Sequence, residues 1–99
     1  MELRVIDHRP QAWFLLRGGE DYYLDVNCNQ GAVGFSVLVK LTEAEYREYH
    51  ALGRIFADYF AAKISYWSSD FRERDLNSSL EDQVSEAVAR FRNDDPAVP

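Results

Sequence analysis

The sequence predicts an α+β domain, a four-stranded antiparallel meander followed by two helices packed on one face of the sheet. Three observations carry that expectation. The opening stretch up to Leu41 repeats with period two, the pattern switches to spacings of three and four at Thr42, and the connections between the early apolar runs are too short to hold a parallel crossover.

In LRVID, Leu3 and Val5 alternate with Arg4, which begins the first strand before His8, Arg9 and Pro10 interrupt the pattern. AWFLLR places Ala12, Phe14 and Leu16 on one face and Trp13, Leu15 and Arg17 on the other. Gly18 and Gly19 then supply residues that tolerate positive φ, so GGED reads as a hairpin turn into a third strand. That strand puts Tyr22, Leu24, Val26 and Cys28 on one face, opposite Tyr23, Asp25 and Asn27. Asn27, Asn29, Gln30, Gly31 and Gly34 read as turn residues, and GFSVLVKL follows as the fourth strand with Phe35, Val37 and Val39 inward.

TEAE carries capping-box spacing, in which the Thr42 hydroxyl and the Glu45 carboxylate each satisfy the other's orphan amide. Tyr49, Leu52, Phe56, Tyr59 and Lys63, with Ile55, Phe60 and Ile64 beside them, form a stripe expected to lie on the sheet. A second helix is expected to start near SSLED, where Ser78 and Glu81 repeat the capping spacing, and to end at about Asn93. Its apolar side carries Leu80, Val84, Ala87, Val88 and Phe91. One domain over residues 1–93 and a frayed tail over 94–99, DDPAVP, complete the organisation.

Composition narrows the function. At 46% hydrophobic and 14% aromatic the chain is too apolar to stay unfolded. A single cysteine cannot close an intramolecular disulfide, so folding needs no oxidising compartment. MELRVIDHRPQAWFLLR contains no apolar run of the length a signal peptide or a membrane span requires, which points to the cytoplasm and away from the membrane. Seventeen acidic residues against eleven basic ones give a net charge of −6. That potential repels phosphate backbones, so nucleic acid is not expected as a direct ligand.

The residues offer little chemistry. GAVGFS has neither the nucleophile elbow nor the ending of a phosphate-binding loop, and no cysteine or histidine pair has metal-ligand spacing, so neither a metal nor a cofactor is expected. Cys28 is the sole thiol, with His8 and His50 the only imidazoles; its place beside Leu24 and Val26 favours a buried, inert role. YWSSDFRERDLNSS, between the helices, is a long aperiodic segment that combines Trp67 and Phe71 with Asp70, Arg72, Glu73, Arg74 and Asp75. Aromatic and arginine side chains among charges are the types enriched in binding hot spots. Asp21, Trp67, Asp70, Phe71, Glu73 and Asp75 are therefore the candidate partner-binding residues, against the alternative that Trp67 and Phe71 fold back as a lid on the core.

The run WFLLRGGEDYYLDVNCNQGAVGFSVLVKLTEAE, Trp13 to Glu45, resembles a stretch of small bacterial proteins, some of which are similar to cytoplasmic immunity proteins encoded beside secreted toxins. The resemblance implies a non-catalytic inhibitor that blocks a cytoplasm-acting toxin domain. An acidic inhibitor would suit a basic, nucleic-acid-targeting toxin through opposite potential. Two other readings compete. One is a small cysteine-dependent enzyme using Cys28 and His50. The other is a homodimer paired through strand edges or through Trp13 and Tyr23.

Overall fold

A computed structural model describes residues 2–30 and 33–94. The chain is α+β: strands β1 (Arg4–Arg9), β2 (Trp13–Gly18), β3 (Asp21–Gln30) and β4 (Val33–Lys40) form one antiparallel sheet in the order β1-β2-β3-β4. Helices α1 (Glu43–Leu52) and α2 (Arg54–Tyr66), a 3₁₀ segment (Ser68–Arg74) and α3 (Asn77–Asp94) follow.

The β2–β3 hairpin closes where it was expected. Gly18 pairs with Asp21, leaving Gly19 and Glu20 as a two-residue turn in which Gly19 takes φ +62°. β1 is continuous through His8 and Arg9 because a bulge at Ile6 resets its register between Val5 and Asp7. The bulge explains the broken alternation: Val5 opposes Leu16, Asp7 opposes Leu15 and His8 opposes Phe14, so the inward parity changes across one unpaired residue. β3 runs on through Asn27 and Asn29 to Gln30, paired with Val33, so those asparagines are strand residues and not part of a turn. Gly31 and Ala32 lie outside the described residues.

The sheet buries both faces. Leu15, Leu24, Val26, Cys28, Val37 and Val39 pack against Phe56, Phe60 and Ile64 of α2 and against Phe71. Their sequence neighbours Leu16, Tyr23 and Leu38 pack against Val84 and Ala87 of α3 on the other side. The expected placement of the two helices on one face is therefore corrected: α2 and α3 cover opposite faces. The reason lies in β2, whose Trp-Phe-Leu-Leu run is apolar at every position, so neither face can be left to water. Trp13 and Tyr23, expected on an outer face available for dimerisation, are buried for the same reason.

The capping box at Thr42 forms, with the Thr42 N–H donating to Glu45 Oε1 at 2.8 Å and the Glu45 N–H donating to Thr42 Oγ1 at 3.2 Å. The long helix expected after it is broken at Gly53, which takes φ +61° and ψ −133°, a backbone conformation open only to glycine without strain. The break turns α2 onto the sheet while α1, which buries no residue fully, stays peripheral. α2 is held near its start by two charged groups: half-buried Asp58 accepts from Arg9 at 2.7 and 2.9 Å and from the Trp13 indole N–H at 2.9 Å, and exposed Arg54 pairs with Asp7 and donates to the His8 carbonyl at 2.6 Å.

The segment expected to be aperiodic is largely a 3₁₀ helix laid against the outer edge of β4. Val39 and Asp75 form a bridge, and the Leu76 N–H donates to the Leu38 carbonyl. The Asp75 carboxylate, and not a Ser78 capping box, serves the start of α3: its Oδ1 accepts from the Leu38 N–H and the Asn77 N–H, both at 3.0 Å. α3 continues through Asp94, and the tail expected beyond it falls outside the described residues.

Candidate functional site

The surface most unlike an ordinary solvated face is the outer side of α2. At 100° per residue, Ile55, Tyr59, Ala62 and Tyr66 fall within an arc of about 60°, turned away from buried Phe56, Phe60 and Ile64. Ile55 is 71% exposed, Tyr59 64% and Tyr66 74%, with Leu52 at 52% just before the helix and Trp67 at 53% just after it. The Trp67 ring meets the Tyr66 ring edge-on at 4.8 Å between centroids. Large apolar side chains gathered on one exposed helix face in this way are more than solvation of the fold requires.

Within α2 the spacing 55, 59, 62, 66 is the alternation of four and three found where helices pack in knobs-into-holes fashion, while Leu52 stands at the end of α1, across the Gly53 break. Lys63 and Arg54 flank the row from within α2, and all of these side chains except Ala62 are long enough to fill or cap a groove. Sequence periodicity placed Leu52, Ile55 and Tyr59 in the core-facing stripe. The signal that could have corrected it was the width of that stripe, since a helix lying on a sheet buries about a third of its circumference and this one carries apolar residues nearly all round.

At the far end of the row, the 3₁₀ segment divides the candidate partner-binding residues. Trp67 stays exposed. Phe71, only 8% exposed, turns into the core, where its ring meets Phe60 edge-on at 5.8 Å, so it is not available as a surface anchor. Asp75 is likewise withdrawn from any partner role by its two backbone donors. Asp70 and Glu73 are exposed, and none of the ion pairs among the described residues involves them. Asp21 lies at the start of β3, half-buried and 3.4 Å from Lys40 Nζ. A surface hollow of about 530 Å³ between Phe35 of β4, Tyr66, Ser69 and Arg72 extends the aromatic row toward the sheet edge.

The structure does not assemble the thiol–imidazole pair. Cys28 has no solvent exposure, its Sγ lies 3.8 Å from the Val26 carbonyl, and burial pushes its thiol up from the ordinary value, away from a reactive thiolate. His50 is exposed on α1, with Nε2 2.6 Å from the Tyr46 hydroxyl. Tyr46 in turn packs on Tyr22, six residues before Cys28 in the same strand, a separation of roughly 20 Å. A catalytic dyad of Cys28 and His50 is therefore ruled out by geometry. Among the described residues, no three side chains of the metal-ligating types converge. No described helix is long and apolar enough to cross a membrane.

What fold and surface together define is an antiparallel sheet covered on both faces, with one covering helix presenting a second apolar face outward. Comparison with family models, with curated proteins and with solved structures returned no match.

Proposed function

We propose that this chain is a non-catalytic protein-binding module of the immunity type, which inhibits a cytoplasm-acting toxin domain by docking it on the outer face of α2. The exposed row of Leu52, Ile55, Tyr59, Tyr66 and Trp67 carries the proposal. Large aromatic side chains on a rigid helix are the usual anchors of a tight interface, because they bury much area while freezing few rotatable bonds. Asp70 and Glu73, beside Trp67, supply charge at the rim.

The three-four spacing suits a helix of the partner, and the net charge of −6 favours a basic partner over a second copy of this chain, whose like potential opposes pairing. A nucleic-acid-targeting toxin has that basic character, and the resemblance of residues 13–45 to immunity proteins points in the same direction. An interface of the standard kind buries about 800 Å² on each side.

The experiment is to mix the purified protein with the product of the neighbouring gene at micromolar concentration and low salt. A one-to-one complex is expected, and Tyr59→Ala or Trp67→Ala should each weaken it by about 2 kcal/mol or more while leaving the melting temperature of the free protein nearly unchanged. Absence of a complex, or a complex indifferent to both changes, contradicts the proposal. Sedimentation at several concentrations reports the homodimer reading separately.

A further inference from the structure

On the other face of the sheet lies a feature that docking through α2 does not use. A cavity of about 490 Å³ opens where the end of α3 crosses the β1–β2 turn, walled by His8, Phe14 and Phe91 and reached by Asp25, Asn27 and Arg92. The three rings form one cluster: His8 stacks on Phe14 at 5.8 Å and meets Phe91 edge-on at 4.7 Å, and Phe91 meets Phe14 at 6.3 Å. Asp25 stands in the middle of the sheet between Phe14 and Leu38, and it also lines a second hollow beneath Val84 and Val88. Its Oδ1 is buried and accepts no hydrogen bond from any described residue.

Oδ1 itself is closed to solvent, so a ligand meets Asp25 only where the residue lines the cavity, and a group that brings N–H donors there offsets its poorly solvated negative charge. The aromatic walls require the rest of that group to be flat and favour a positive charge near their faces. Arg92 illustrates the preference, since its guanidinium sits 5.9 Å above the Phe14 ring. We infer that this cavity binds a planar organic cation of the guanidinium or amidinium class, with Asp25 accepting its N–H donors and His8, Phe14 and Phe91 enclosing its apolar part. The volume admits a ligand of the size of an arginine side chain or a benzamidine.

Burial holds the Asp25 carboxyl up at about 6, with the charge of Asp75 adding to the effect, so the carboxylate is formed at neutral pH yet poorly solvated. Asp75, from the segment before α3, is the charge that acts on it, while His8 from β1 and Arg92 from α3 are the other titratable or charged groups lining the cavity. A bound cation relieves the cost that burial imposes.

Titration of the whole protein at pH 7.5 with benzamidine, benzamide and benzoate, followed by amide chemical shifts, tests the assignment. Benzamidine is expected to shift the resonances of Phe14, Asp25, Asn27 and Phe91 with an affinity at least about tenfold above that of neutral, isosteric benzamide. Asp25→Asn, whose folding is checked by its melting temperature, should bring benzamidine down to the benzamide level. Equal binding of benzamidine and benzamide would reduce the cavity to an apolar hollow, tighter binding of benzoate would assign it to anions through Arg92, and no shifts up to about 10 mM would leave no site; each result overturns the inference. A Tyr59→Ala protein should bind benzamidine normally, which keeps this result separate from the docking proposal.

Discussion

Asp25 carries a pH dependence whose sign follows from its surroundings. Its carboxyl, raised by burial and by Asp75 to about 6 from an ordinary value of 3.8, holds a proton in the folded chain at pH values where the unfolded chain has lost it. This group's contribution to stability is therefore fullest below about pH 4, declines as pH rises toward 6, and is gone above that. With each pKa step worth about 1.4 kcal/mol, the loss amounts to roughly 3 kcal/mol at most. Asp25→Asn abolishes the titration. It should raise the melting temperature at pH 8 and leave it nearly unchanged at pH 4, a difference that thermal unfolding monitored across that range will reveal. A carboxylate that weakens the fold at neutral pH while lining a cavity is what a binding group looks like, whereas a packing position would hold an apolar residue.

Among the elements, the 3₁₀ segment depends on one residue for its place. Arg74 donates to both carboxylate oxygens of Glu45, at 2.6 and 3.0 Å, and to the Lys40 carbonyl at 2.9 Å, while its guanidinium lies about 6 Å from the Phe60 and Phe71 rings. It thus joins the capping box of α1, the end of β4 and the core beneath Phe71. Burial alone would raise the Glu45 carboxyl, but the hydrogen bonds from Arg74 and Thr42 outweigh it and hold the group below its usual range. Arg74→Ala should cost about 1–3 kcal/mol at pH 7, and Arg74→Lys should recover less than half of that because an ammonium cannot bond both oxygens in the same plane. A depressed carboxyl stabilises only where it is ionised. The gap between wild type and Arg74→Ala in urea unfolding should therefore narrow as pH falls below about 4. The same segment fixes Trp67 at the end of the α2 row, so its loss would also disturb one end of the docking face.

At the scale of the whole molecule, the sheet is an inner layer. Leu16 on one face and Leu15 and Leu24 on the other are all essentially inaccessible. Leu16→Ala should cost about 2–5 kcal/mol in chemical denaturation, as expected for a cavity beneath α3; were that face of the sheet in water, the change would stay within about 0.5 kcal/mol. Much of this architecture was legible in the residues. Local rules, the alternation of the strands, the Gly19 turn and the Thr42–Glu45 cap, each involve groups only a few positions apart, and each appears in the structure, except that the alternation fails at the Ile6 bulge and at Phe35, which was expected inward and is exposed. The candidate site was legible only in part. Trp67, Asp70 and Glu73 are exposed as a loop of that composition suggested, but Phe71 was claimed by the core through Phe60 of α2, and Asp75 by the nearby Asn77 N–H and by the Leu38 N–H of β4, a strand partner that no local pattern displays. The exposed row of Leu52, Ile55 and Tyr59 was hidden for the complementary reason: periodicity shows that a helix is apolar on more than one side without showing which side finds a cover.

The sequence by itself determined the four strands, their antiparallel pairing, the capped start of the first helix and the net negative charge, because these depend on spacing and composition alone. Only the tertiary structure decided that α2 and α3 take opposite faces, that Cys28 and His50 lie far apart, and that Asp25 ends buried beside an aromatic cavity, because burial is set by what the rest of the chain brings against a residue.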